Sequence, residues 1–460
     1  MTNLLRPKTK RRDRRSGFSS VAEISNLSEA MPGRRDNGWS RNLLFFLAPR
    51  IMDFDTYLPI AMEMAAARPQ WRIRFVVFDA HNYSSILANS TMMAGLERCG
   101  SLHFLGSGDS RGVVRLWRRL GGFAAITGWI LRHDRPVLFS SRAFSRGPYL
   151  LFSALAWLRG GNSYLLWKNR SPDEVHHIMF QTRNPPPPKP TAFLARLLGR
   201  DQDAVIHYHD QQKETLGQAS VFGRIFDVPW LRIGLPHHFS AWRQFIDDQI
   251  AVERARLEQE GVSRSAEIYT VFAAKSGSSD NLGLPGAVER SFKAIITALT
   301  RLRPDAVILI RAHPKAVEEP YIMEGIEAAV SARIYMSAVH PEVLLALSRR
   351  CLANNPTNIL FAGFPGQCID CSEYPDSHFK EHGEVSLAHG YGPLYINPLA
   401  KDFDAQLSRA LEDDSLFEAP ELTEKRDCLH RNNPPCFKAL LNLLEGDVPF
   451  RETSPAAQKG

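Results

Sequence analysis

Chemistry-bearing residues gather at four places in this chain. The first is Arg311-Ala312-His313-Pro314, which ends the apolar run Ala306–Ile310. An imidazole at a strand end binds a phosphate or exchanges a proton near neutral pH, and Arg311 would supply charge to a diphosphate. The second is the polar corner Asn355-Pro356-Thr357-Asn358. Amides and a hydroxyl entering a helical segment face an anion, although the same residues also read as an ordinary cap. The third is the loop from Lys275 to Gly283, in which Lys275 and Ser276 lead a glycine-bearing stretch. It lacks P-loop spacing, and it reads either as a diphosphate or acceptor loop or as a plain connection. The fourth is Asp210, which follows His207 and His209 at the end of an apolar run. Asp210 stands where a base for an acceptor hydroxyl is wanted; three such groups on one strand end also read as a metal cluster.

These groups need elements to position them. Leu43–Ala48 and Arg72–Phe78 read as strands flanking a helix over 56–67, and Ala204–Asp210 as a further strand. Ala241–Gln259 is a long charged helical stretch that leads into a second unit. There the strands 268–274, 306–310 and 333–336 alternate with helices over 287–302, 318–330 and 341–347. Such alternation predicts a doubly wound parallel sheet in each half, with ligands at the carboxyl ends of the strands. The expected fold class is therefore α/β, with two Rossmann-like domains facing a cleft. The expected divisions are a basic disordered tail over 1–40, an acceptor domain over 41–240 and a helical connector over 241–265. A nucleotide-donor domain over 266–420 and a terminal helix and tail over 421–460 complete it.

Composition sets bounds. The chain has 460 residues, 44% hydrophobic and 23% charged, which suits two globular domains. A net charge of +7 favours nucleotides, phosphates or anionic lipid. Basic residues and aromatics are not interleaved as in a nucleic-acid binder, so none is expected as a partner. Six cysteines are too few for a disulfide scaffold. Cys368-Ile369-Asp370-Cys371 has no second pair at metal-binding spacing, and no metal site is expected. No apolar run reaches the ~18 residues that span a bilayer, and the basic amino terminus lacks the apolar core of a secretory signal. No Gly-x-Gly-x-x-Gly follows the first strand. Residues 111–200 mix Arg with Trp, Phe and Leu at helical spacing, which reads either as helices covering a sheet or as helices at a membrane interface.

The order Arg311-Ala312-His313-Pro314, then Asn355-Pro356-Thr357-Asn358 some forty residues on, resembles the carboxyl-terminal domain of GT-B glycosyltransferases. The resemblance is to those that build bacterial surface polysaccharides, including capsule and polysialic-acid enzymes and teichoic-acid glycerophosphotransferases. Ile233-Gly234-Leu235-Pro236 is similar to the turn before their second domain. The corner here carries one Thr between asparagines rather than a Ser/Thr pair, and no acidic-acidic-Gly motif is present in the first half. The resemblance implies that His313 contacts the donor phosphate or assists the leaving nucleotide, that Thr357 and its neighbours hold phosphate, and that Glu373 reaches the ribose. It implies a metal-independent transferase without a cofactor. Its donor would be a nucleotide sugar, and its acceptor a surface glycan or a lipid-linked glycan. The expected setting is the cytoplasm, or the inner face of the cytoplasmic membrane of a bacterium. The rival readings are a nucleotide-sugar epimerase on the same scaffold and a non-catalytic binding protein.

Overall fold

The computed structural model describes residues 41–48, 51–108, 110–141, 144, 148–166, 203–207, 230–276, 284–313, 319–329, 333–354, 367–383, 392–432 and 435–446. Asp210, Asn355, Thr357 and Asn358, and the stretch before residue 41, lie outside the described residues.

Two parallel sheets form the frame. The first holds β1 (Arg41–Leu47), β2 (Trp71–Val77), β3 (Ser101–Phe104), β4 (Val137–Ser140), β5 (Asn162–Leu166), β6 (Ala204–His207) and β7 (Trp230–Arg232). Their spatial order is 3-2-1-4-5-6-7. Helices α1 (Ile51–Ala67), α2 (Ala80–Leu87), α3 (Ser90–Cys99), α4 (Gly112–Leu131) and α5 (Pro148–Leu158) connect them. A single 3₁₀ turn, Pro236–His238, then leads into α6 (Ser240–Gln259).

The second sheet holds β8 (Ile268–Ala273), β9 (Val307–Ala312), β10 (Arg333–Met336), β11 (Arg350–Ala353), β12 (Cys368–Asp370) and β13 (Leu394–Tyr395). Its strand order is β10-β9-β8-β11-β12-β13. Between and after these strands run α7 (Ala287–Leu302), α8 (Pro320–Ala328), α9 (Pro341–Leu347), α10 (Asp376–His382), α11 (Phe403–Glu412), α12 (Pro420–Asn432) and α13 (Phe437–Glu445). Every strand pairing is parallel. The doubly wound α/β class expected from the strand–helix alternation is the one observed.

The period-2 pattern of the strands explains the layering. In β1, Leu43, Phe45 and Leu47 face one core, while Leu44 and Phe46 face another beneath α4 and α5. In β8, Ile268 and Phe272 join the first core, and Tyr269, Val271 and Ala273 face a core beneath α7, α8 and α11. The first core is continuous between the sheets. Phe245, Ile246 and Leu257 of α6 and Val343, Leu344 and Leu345 of α9 fill it.

One helix runs further than its sequence pattern implied. α1 begins at Ile51 rather than near residue 56 and carries Pro59 inside it. Asp53 in its first turn accepts from the Ala48 amide (2.9 Å) and the Ser141 hydroxyl (2.6 Å), and a carboxylate there also suits the helix dipole. α4 continues through Gly121 and Gly122 to Leu131. Gly122 lies against the chain leaving β3, where a Cβ would come within 2.8 Å of the Leu105 carbonyl oxygen.

The chain end returns to the first sheet. The Cys436 amide donates to the Ile233 carbonyl (2.9 Å), Phe437 packs edge-on against Phe239, and Leu440 and Leu444 are buried in the shared core. Leu440→Ala leaves a cavity in that core. Thermal or urea unfolding is expected to show a loss of about 3 kcal/mol, because a buried Leu→Ala change costs both transfer energy and cavity. A loss under about 0.5 kcal/mol, the range of surface changes, would mean that α13 is not docked as described.

Candidate functional site

In the second sheet, β8 lies between β9 and β11, and chain connectivity reverses there. That switch point opens a crevice at the carboxyl ends of the strands. Register lines up the exits, since Arg311 pairs with Phe272, Phe272 with Ala353, and Ala353 with Asp370. One residue beyond this row, Asn354 is buried. Its Oδ1 accepts from the Ala274 amide (2.8 Å) and its Nδ2 donates to the Val288 carbonyl (3.0 Å). Asn354 therefore ties the exit of β8 to the first turn of α7.

Lys275 and Ser276 leave β8 from this brace, Lys275 exposed and Ser276 half-buried. The Ser276 hydroxyl donates to the Glu289 carboxylate in the first turn of α7. The neighbouring Arg290 grips Glu373 with both arms of its guanidinium, Nε to Oε2 at 2.9 Å and NH2 to Oε1 at 2.7 Å. The Glu373 amide also donates to the buried Ser291 hydroxyl (3.2 Å). Glu373 is therefore held in one place at the exit of β12, with its acceptor lone pairs only partly used.

β9 delivers the other two predicted groups in different directions. The His313 amide donates to the Ala273 carbonyl (2.8 Å), which fixes the backbone, and the residue is exposed. Arg311 turns its guanidinium toward the loop before α9, with Nε donating to the Val339 carbonyl (3.0 Å) and NH1 to the Ala312 carbonyl (2.9 Å). Burial lowers its pKa to about 10, opposed by the negative charge of Asp55. Lys275, Ser276, His313 and Glu373 thus stand at the exits of β8, β9 and β12, whereas Arg311 reaches toward the first domain.

What Arg311 approaches is a buried polar cluster that the sequence did not disclose. Asp55, in the second turn of α1, meets His340 Nε2 at 2.5 Å. His340 caps α9, and its Nδ1 accepts from the Glu342 amide (3.2 Å). That bond assigns the Nε2–H tautomer, so the ring donates to Asp55. The His340 amide also donates to Thr91 Oγ1 (3.3 Å) at the start of α3. Glu342 is fully buried and accepts from Trp242 Nε1 (3.0 Å). It also lies in ion-pair contact with His237, without hydrogen-bond alignment, and has Arg243 at 3.7 Å. Four separate stretches of chain meet here, two carboxylates against two imidazoles, with no route to solvent for Glu342 or His340.

The charges set one another. Burial alone would raise Asp55, but the His340 imidazole hydrogen-bonded to it, helped by His237 and Arg311, holds it below the ordinary carboxylate range. Burial likewise acts to raise Glu342, and His237 overcomes it. Burial acts to lower His237, and Glu342 raises it.

His207 is buried in β6 and packs edge-on against Trp230 at 5.4 Å. His237 and His238 belong to the 3₁₀ turn before α6, and His237 enters the cluster. Cys368 and Cys371 are both buried, and burial pushes their thiols well up. Among the described residues, no group of His, Cys, Asp and Glu is arranged to hold a metal ion.

No protein-family model matches the chain, and no curated protein matches its sequence. Among solved structures it is similar to UDP-GlcNAc 2-epimerase from Neisseria meningitidis bound to UDP-GlcNAc. That match has a TM-score of 0.50 and 11% identity, and covers 88% of this chain and 100% of the other. It is also similar to UGT73P12 of Glycyrrhiza uralensis complexed with glycyrrhetinic acid 3-O-monoglucuronide. The TM-score there is 0.50, with 9% identity over 88% of this chain and 96% of the other. At such identities the likeness is one of fold: two Rossmann-like domains in the GT-B arrangement.

The buried cluster makes stability depend on pH from both sides. Asp55 and Glu342 have lowered values, so their contribution is complete above the ordinary carboxylate range near about pH 4 and is lost as pH falls through the lowered values. His237 has a raised value, so its contribution is complete below about pH 6.5 and is lost as pH rises through the raised value. Thermal unfolding should therefore peak between about pH 4 and pH 6.5, and His237→Ala should remove the decline on the alkaline side. His340→Ala, which strands a buried carboxylate, should cost about 3 kcal/mol at the peak. An unfolding midpoint that falls neither below about pH 4 nor above about pH 6.5 would show that the cluster is not linked to folding.

Proposed function

We propose that this chain is a transferase that moves a sugar, or a related alcohol phosphate, from a nucleotide-activated donor to a glycan. The observation that carries this reading is the gathering of Lys275, Ser276, His313 and the Arg290–Glu373 pair at the switch point of the second sheet. A nucleoside diphosphate has an anionic end for Lys275 and His313 and a ribose whose hydroxyls suit a fixed carboxylate such as Glu373.

In this reading His313 stabilises or protonates the departing phosphate, and Lys275 and Ser276 hold the diphosphate. Asn355, Thr357 and Asn358 complete the anion site from the corner beyond β11. Arg311 contributes field from behind the strand rather than a direct bond, since its Nε and NH1 bonds to the Val339 and Ala312 carbonyls turn the guanidinium toward Asp55. Catalysis rests on charge placed in advance at a developing phosphate, and no bound metal or cofactor is invoked. The first domain takes the acceptor, with Asp210 as base for the attacking hydroxyl. The acceptor is a surface polysaccharide or lipid-linked glycan of a bacterial envelope, met at the cytoplasmic face of the membrane.

A second reading has one observation in its favour, since a similar fold belongs to a UDP-GlcNAc 2-epimerase. An epimerase would convert its nucleotide sugar with no acceptor present. Product analysis with and without acceptor separates the two.

The test begins with thermal shifts of the purified chain against CMP, CDP, UDP, GDP and their sugars. One nucleotide class is expected to raise the midpoint in a concentration-dependent way. With that donor, His313→Ala is expected to lower kcat/KM by about a hundredfold while the fold is kept, and activity should persist in EDTA. Full activity and unchanged donor affinity in His313→Ala would remove His313 from the mechanism. No response to any nucleotide would remove the transferase reading.

A further inference from the structure

A helix that covers a sheet turns one apolar stripe inward and shows a polar face to water. α4 does not. Its inward side carries Gly122, Ile126 and Ile130. The sheet grips its last turns: Asn42 Nδ2 donates to the Trp129 carbonyl (3.1 Å), and the Arg74 guanidinium lies over the Trp129 ring at 5.2 Å. On the opposite side, Val113, Trp117 and Leu120 recur at helical spacing, and Leu131 continues the same flank. Trp117 is 69% exposed and Val113 70%. α5 packs beside α4 and adds exposed Trp157 and Leu158. Large apolar side chains exposed together on the outside of a domain mark a contact with something else.

Charge says what. Arg111, Arg115, Arg118 and Arg119 line the polar side of the same exposed turns, across the helix from Trp117, and neither α4 nor α5 contains an Asp or Glu. A second copy of the chain would bring the same arginines against these, and the whole chain is already at +7. The stretches 1–40 and 167–202 of the chain itself also hold more Lys and Arg than Asp and Glu. The complementary surface is therefore anionic, extended and apolar beneath, which describes a bilayer containing acidic lipid. No helix among the described residues is long and apolar enough to cross a membrane, so contact would be from one side. Because α4 follows β3, its exposed first turns lie at the carboxyl ends of the first sheet, on the side where the crevice opens.

We infer that α4 and α5 form an interfacial docking face for an anionic lipid bilayer, with Trp117 and Trp157 seated at headgroup depth and the four arginines reaching the acidic headgroups from the polar side of α4. The docking face is separate from the donor site and does not depend on the transferase reading.

Co-sedimentation of the full chain with vesicles tests it, using phosphatidylcholine alone and phosphatidylcholine mixed with phosphatidylglycerol. Binding is expected only to the mixed vesicles and should weaken with salt. Each arginine near such a surface is worth about fivefold in partitioning, so the triple variant R115E/R118E/R119E should lose about a hundredfold or more. Trp117→Ser should lose about tenfold. Both variants change exposed side chains, and an unaltered thermal midpoint would show that they fold; R115Q/R118Q/R119Q serves if charge reversal disturbs the helix. Full-strength binding by the folded triple variant would place the contact elsewhere, for example on the basic stretch before residue 41. A protein that ignores acidic vesicles, or a dimer that Trp117→Ser dissociates, would overturn the inference. No nucleotide enters the assay, so its outcome is independent of whether the donor site works as proposed.

Discussion

Two carboxylates and two imidazoles sealed between the domains constrain everything else in this molecule. Asp55 and His340 are 285 positions apart in the chain, yet their side chains meet at 2.5 Å. Burying such groups is expensive unless each finds its partner, and breaking one contact strands the other. The contact therefore specifies one relative placement of the sheets. α6 supplies Trp242 to the same cluster and the apolar filling around it, so the connector between the two sheets is also part of what holds them together.

That placement has consequences for the donor crevice. Arg311 is held by the Val339 carbonyl, one residue before His340, and its charge acts on Asp55. The strand that ends in His313 is thus mechanically continuous with the domain contact. A shift of α1 against α9 would be felt first at the exit of β9, two residues from His313. On the other side of β8, Asn354 fixes the β8 exit to α7, and through Arg290 the same helix fixes Glu373. The crevice is framed by backbone carbonyls and one amide side chain, and the exposed groups project from a scaffold that is itself buried.

How much of this was legible follows from the range of each interaction. Strands β1, β2, β6, β8, β9 and β10 came through, because a sheet buried on both faces writes short apolar runs into the chain, as in Val307–Ile310 and Ile268–Ala273, whereas the four- and five-residue strands β3, β4 and β5 did not. Polar residues placed just past those runs, such as His313 and Lys275, could be located at strand exits for the same reason. The buried cluster could not be read. Asp55 looks like an ordinary acid in a helix start, His340 like a polar residue before a proline, and His237 like half of an adjacent pair. Their meaning lies in long-range pairing, which leaves no local pattern. Asn354 was visible as a polar residue ending β11, but its role as a brace depends on α7 arriving beside it.

The same reasoning separates α4 from the other helices. α7 obeys the rule that a helix buries one stripe: Val288, Phe292, Ile295, Ile296 and Leu299 face the core, and Arg290, Lys293 and Arg301 face away. α4 has a shorter buried stripe, Gly122, Ile126 and Ile130, and is held by Asn42 and Arg74 at its last turns, so its outward Val113 and Trp117 are not there to complete the fold. Stability of the domain gives no reason for them. A solvated helix gains nothing from exposed tryptophan, and every such residue raises the hazard of aggregation. Residues that folding does not require, set among arginines with no balancing acid, are most economically explained by a surface that is itself apolar and negatively charged. The sheet beneath then has a second role, to hold that helix at a fixed height and angle beside the crevice.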